Sequence, residues 1–102
     1  MYANGEGVPK NYAEGMRWVR RAADQGFVNA QMTLSYRYEN GIQGVPKDYV
    51  LAYMWANLAA AQGIMLGEHA GEARDRIARL MTPEQTAEAQ RLARDWKPKP
   101  ER

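Results

Sequence analysis

Near its start the chain reads Asn4-Gly5-Glu6-Gly7-Val8-Pro9-Lys10-Asn11-Tyr12, and the phrase returns as Asn40-Gly41-Ile42-Gln43-Gly44-Val45-Pro46-Lys47-Asp48-Tyr49. The spacing is 36 residues before the extra residue of the second copy and 37 after it. Agreement continues from Trp18 to Trp55, from Ala22-Ala23 to Ala59-Ala60, and from Gln25-Gly26 to Gln62-Gly63. A period of this length marks a supersecondary unit that cannot bury its apolar face alone and must stack on its neighbours. The chain is a repeat.

The punctuation of each copy says what the unit is. Gly5 and Gly41 follow asparagines and suit the left-handed residue that ends a helix. Gly7 and Gly44 permit a tight turn, and Val-Pro holds the chain extended on the way to the next helix. Asn11 and Asp48 then fall at N-cap positions, where a side-chain oxygen accepts from a free backbone N–H. Glu14, three residues after Asn11, fits an imperfect capping box. Gly26 and Gly63 end the helices that follow, so each unit reads helix, Gly-Val-Pro loop, helix, glycine turn.

The pattern predicts a helix over 12–25 with Tyr12, Met16, Val19, Ala22 and Ala23 on its apolar stripe, widened by Trp18. Gly15 inside it is read as room for a close helix contact, since glycine there costs up to about 1 kcal/mol against alanine. A second helix over 29–40 aligns Ala30, Leu34 and Tyr38, with small Ser35 beside them. The third is different. Between Tyr49 and Gly67 there is no charged residue, although 25% of the chain is charged.

A helix that is apolar on every side must be covered on every side. A membrane span would need about 20 mostly apolar residues without punctuation. Here Asp48 opens the helix, Gln62-Gly63 closes it, and Asn57 sits inside it, so it is read as the buried centre of a small stack. Ala52, Ala56, Ala59 and Ala60 let neighbouring backbones approach, while Tyr53 and Trp55 fill the larger gaps. Gly44, Asp48, Trp18, Trp55, Ala59 and Gly63 are the positions on which the architecture should depend.

After Gly63 the pattern changes. Ile64, Met65 and Leu66 read as an apolar connector, and a charged helix over 68–81 follows with Ala70, Ala73, Ile77, Leu80 and Met81 on its core side. Its outer side offers Glu72–Arg76 and Asp75–Arg79 as acid-first i,i+4 pairs. Thr82-Pro83-Glu84-Gln85 is a strong helix start, with a cap, a proline at the first position and a glutamine to close the box. The last helix buries Ala89, Leu92, Ala93 and Trp96, and Pro98 stops it. This pair lacks the Gly-Val-Pro loop and is more polar outside, as a terminal cap should be. One domain over 1–102 results: a truncated first repeat (2–26), a complete repeat (27–63), a capping helix pair (64–97) and a tail (98–102).

Ala30, Leu34, Tyr38, Gly41, Gly44, Val45, Asp48, Ala52, Trp55, Ala59, Ala60 and Gly63 together resemble the Sel-one-like repeat family, a subclass of tetratricopeptide-like solenoids. The run Met81-Thr82-Pro83-Glu84-Gln85, followed by Ala-Glu-Ala-Gln-Arg-Leu-Ala-Arg-Asp-Trp, is similar to the tail that often closes bacterial members. Ser35 stands where the family usually has glycine, and Asn11 and Gly15 stand where it has Asp and Ala. The first helix of the first unit is missing except for its tail, with Tyr2 matching Tyr38, so the helix over 12–25 is expected to lack one partner and to expose part of Trp18, Met16 or Val19. The resemblance implies an all-α fold, a right-handed α/α superhelix of antiparallel helix pairs. It also implies a non-catalytic protein–protein interaction module, an adaptor or assembly scaffold with a protein or peptide partner. The alternative is a self-associating structural fragment that forms a homodimer through the incomplete first repeat.

The residues themselves exclude much chemistry. With no cysteine and one histidine, His69, a zinc site would rest on carboxylates alone. No Ser-His-acid set can be assembled from the chain's one serine and one histidine, and neither enzyme activity nor a cofactor is expected. The glycine loops lack a following Gly-Lys-Ser/Thr and are turn punctuation, not phosphate cradles. A net charge of +2 is too small to imply nucleic acid. The opening MYANGEGVPK has no signal-peptide apolar core; the compartment is cytoplasmic or, if an export signal has been removed, periplasmic or secreted. For partner contact the candidates are Met32 and Tyr36, one turn apart and off the core line, with Arg37 beside them and Arg17 and Arg21 on a basic stripe. Methionine, aromatics and arginine are enriched at interfaces.

Overall fold

A computed structural model describes the backbone over residues 8–62 and 65–99 and the side chains over 12–62 and 69–99. Five helices stand among the described residues: α1 (Val8–Asp24), α2 (Val28–Asn40), α3 (Tyr49–Ala60), α4 (Met65–Ala78) and α5 (Pro83–Asp95). The short turn through Gly26 sets α1 against α2. α3 lies at the centre and packs on α2, α4 and α5. Leu34, Trp55 and Ile77 are fully buried, and Ala52 to Ala56 form an unbroken buried run on α3. The charge-free helix is therefore enclosed by neighbours, as its composition requires. No helix among the described residues is long and apolar enough to cross a membrane.

The second repeat's loop is built by local rules. α2 ends on Gly41 at φ 64°, whose N–H donates to the Arg37 carbonyl at 2.7 Å. Gly44 turns the chain at φ 94°. The Asp48 N–H then donates to the Tyr38 carbonyl at 2.9 Å, fastening the loop to the end of α2. The Asp48 carboxylate accepts from Leu51 N–H at 3.0 Å and opens α3. α5 opens on a complete box, in which the Thr82 hydroxyl accepts from Gln85 N–H and the Gln85 amide oxygen accepts from Thr82 N–H.

Several sequence expectations need correction. α1 begins at Val8, so Asn11 is inside the helix and opens nothing; its side chain lies outside the described residues. Proline is tolerated in a helix's first turn because no intrahelical partner is needed there. In the second copy Asp48 N–H is tied to the Tyr38 carbonyl, and Val45–Lys47 stay outside the helix. α4 likewise begins at Met65, not 68, and ends at Ala78. Its last residues turn so that Thr82 can cap α5, which leaves Leu80 54% exposed instead of in the core. Among the described residues a Cβ on Gly15 would meet nothing within 4 Å, so that glycine serves no close helix contact there. The expected exposure on α1 does hold at Trp18, which is 67% exposed because α1 packs chiefly on α2 and that contact uses another face. Gly63 lies outside the described residues.

Two features bind the stack across its length. Buried Gln31 donates from Nε2 to the Ala23 carbonyl at 3.2 Å, and its Oε1 accepts from Gln62 Nε2 at 3.3 Å. Gln62 Nε2 also donates to the Gly26 carbonyl at 2.7 Å, so a polar knot joins the ends of α1 and α3. Beyond α5, Trp96 meets Trp55 edge to face, with ring centroids 6.2 Å apart. The tail then runs back to α1, where Lys99 N–H donates to the Asp24 carbonyl at 2.7 Å.

Candidate protein-interaction surface

Residues four apart on a helix lie over one another, so Met32 and Tyr36 share a line on α2, with Ser35 and Glu39 flanking it. That line faces α4 across a groove of about 170 Å³. Ala56 of α3 and Ala70 and Ala73 of α4 form its floor, and Arg76 closes one end. The small floor residues are what leave the space open. Ser35 does not present its hydroxyl to the groove, since its Oγ donates to the Ala52 carbonyl at 2.8 Å. The lining is accordingly apolar, with Tyr36, 58% exposed, standing at the rim.

The polar end of the groove is neutralised. Arg76 makes two parallel hydrogen bonds to Glu39, Nη2 to Oε1 at 2.8 Å and Nε to Oε2 at 2.9 Å. The side-chain hydrogen bond from Glu39 raises the Arg76 guanidinium above its ordinary value. This pairing replaces the expected Glu72–Arg76 contact. The other expected pair does not form either: Asp75 pairs with Arg74 at 3.2 Å, and Glu72 stands 3.9 Å from His69. Among the described residues no three of His, Cys, Asp and Glu come together as metal ligands.

The five residues expected at a partner surface do not converge. Met32 and Tyr36 line the groove. Arg37 points the other way and donates from Nη1 to the Met16 sulfur of α1 at 3.1 Å. Arg17 is on the exposed side of α1, and the Arg21 guanidinium lies over the Trp18 ring at 5.3 Å. Sequence reasoning missed Glu39 and Arg76 as the groove's end and the three alanines as its floor. The α2 side could have been read by extending the 32–36 line by one turn to Glu39; the α4 side carried no such signal.

The Sel1 repeat family model matches residues 1–27 and again residues 28–64. The chain belongs to the Sel1 repeat family. No curated protein and no solved structure matches it. The boundary between the two Sel1 repeats falls in the turn between α1 and α2, so the second match takes in α2 and α3 as one helix pair. The helices are thus those of a tetratricopeptide-like solenoid. Sel1 repeats generally mediate protein–protein interaction and are non-catalytic modules. The groove lies between the first helix of the second Sel1 repeat and the helix that follows that repeat.

Proposed function

We propose that the chain is a non-catalytic adaptor or assembly scaffold, of the kind its bacterial-type C-terminal run suggests, which holds a peptide or protein partner in the α2–α4 groove. The observation that carries this reading is the alanine-floored groove walled by Met32 and the exposed ring of Tyr36. An apolar side chain entering it leaves no buried polar group without a partner, because Ser35 and Arg76 are already bonded within the chain. Tyr36 supplies an amphipathic aromatic surface of the type that dominates binding energy at interfaces. Nucleic acid suits the groove poorly, since its one cation is held by Glu39. In this reading α4 and α5 act as the capping pair of the stack.

The test is a pull-down from host lysate with wild type, Tyr36→Ala, Ala73→Phe and Arg37→Glu. Ala73→Phe fills the groove without removing any hydrogen bond. The expected result is one protein retained by wild type and Arg37→Glu and lost with folded Tyr36→Ala and Ala73→Phe. Equal retention by all four would place the partner elsewhere.

A further inference from the structure

α1 carries an unused surface of a different character. Glu14, Arg17, Trp18 and Arg21 follow helical spacing along its exposed side. The helix contains four basic side chains, Lys10, Arg17, Arg20 and Arg21, against Glu14 and Asp24, which equals the whole formal excess of +2 on the chain. Arg20 is engaged inward, 3.5 Å from Asp24 and over the Trp55 ring at 5.8 Å. Arg17 and Arg21 form no ion pair among the described residues, and Arg21 has only the face of Trp18.

The repeat itself shows how such a ring is treated when it is covered. Trp55 occupies the position equivalent to Trp18 and is 1% exposed, with Arg20 over its face and Trp96 packed edge to face with it. Among the described residues Trp18 has the arginine and no covering apolar group. We propose that the outer face of α1 is a second docking surface, for an acidic segment of a partner protein. A bulky apolar side chain of that segment covers Trp18, and carboxylates on either side of it pair with Arg17 and Arg21.

Charge complementarity selects this occupant over a second copy of the chain. Each exposed α1 face carries Arg17 and Arg21 against the single carboxylate of Glu14, so two such faces brought together keep an excess of positive charge. Of the acidic groups a second copy would bring from α4 and α5, Asp75 is paired with Arg74 and Glu88 and Asp95 with Arg91, which leaves Glu72 and Glu84, one on each helix, among the described residues. An external acidic segment meets neither obstacle. Its binding should weaken with added salt, because the charges it meets are exposed.

The experiment is a selection of random displayed peptides on the full chain, followed by affinity measurements on the winners. Selected peptides should combine Asp or Glu with Leu, Phe or Trp. They should lose about tenfold or more in affinity on Arg17→Glu/Arg21→Glu and on Trp18→Ala, and keep it on Tyr36→Ala, which reports the groove instead. Bound peptide should also shift the emission of wild type to the blue and leave Trp18→Phe unchanged. Circular dichroism checks that the variants stay folded, as substitutions at exposed positions should. Peptides without an acidic excess, an empty selection, or equal affinity for the double arginine variant would overturn the proposal. So would a dimer in sedimentation that Trp18→Ala converts to monomer, since the face would then belong to a second copy.

Discussion

Replacing Trp55 by alanine removes the largest fully buried side chain of the protein. Large aromatic-to-alanine changes in cores cost about 3–5 kcal/mol, from lost transfer energy plus the cavity left behind. Two contacts place this site toward the upper end. The edge-to-face pair with Trp96 is worth about 0.5–1.5 kcal/mol beyond burial. The Arg20 guanidinium over the ring adds about 0.5–1 kcal/mol, the value for an arginine still in contact with water. Domains are stable by only about 5–15 kcal/mol in total. At about 4–8 °C per kcal/mol for a domain of this size, the melting point should fall by about 15 °C or more. Thermal melts followed by far-ultraviolet circular dichroism measure this directly.

Trp18→Ala supplies the internal control, because it removes the same residue from the same repeat position. Trp18 is exposed and loses only its contact with Arg21, so the cost should be about 1 kcal/mol or less. A Trp55→Ala melt within a few degrees of wild type would refute the reasoning. Equal losses for the two variants would refute it as well, since repeat position rather than enclosure would then set the energetics.

Gly15→Ala should raise stability by about 0.5–1 kcal/mol in a melt or urea titration, because the new methyl meets nothing and the helix interior favours alanine. Gly41→Ala should lower it by about 1–2 kcal/mol or more: the residue sits at φ 64°, and a Cβ would come 3.0 Å from the Lys47 nitrogen. Gln31→Ala should cost about 1–3 kcal/mol by urea titration, since it leaves a cavity and strips Gln62 Nε2 and the Ala23 carbonyl of a buried partner.

Much of the fold was legible because it is written in period and punctuation. The absence of charge from Tyr49 to Gly67 marked the enclosed helix, and Asp48, Gly41 and Thr82-Pro83-Glu84-Gln85 marked ends that the structure places where expected. The errors came where a local rule had a rival. Asn11 is a good cap in isolation, but Val8-Pro9 can also start a helix, and α1 takes the longer option. Glu72 and Arg76 are a sound pair on an isolated helix, yet Glu39 on α2 takes Arg76 with two parallel bonds. The groove was half legible for the same reason. Met32 and Tyr36 stood out on one helix, but which residues face them depends on how α4 is set beside α2, and spacing within one helix carries no such information. The same limit put Arg37 with them, when one step along α2 turns it toward Met16.

The bond from Lys99 to Asp24 changes what kind of object the stack is. An open array whose units touch only their neighbours can fray from either end, one helix pair at a time. Here the last described residues are fastened to the first described helix, and Trp96 wedges against Trp55 on the way. The chain is thereby closed into a ring of contacts. Loss of α5 from the stack would also strip the end of α1 of this tie, so fraying at one end is felt at the other, although α1 keeps its packing on α2.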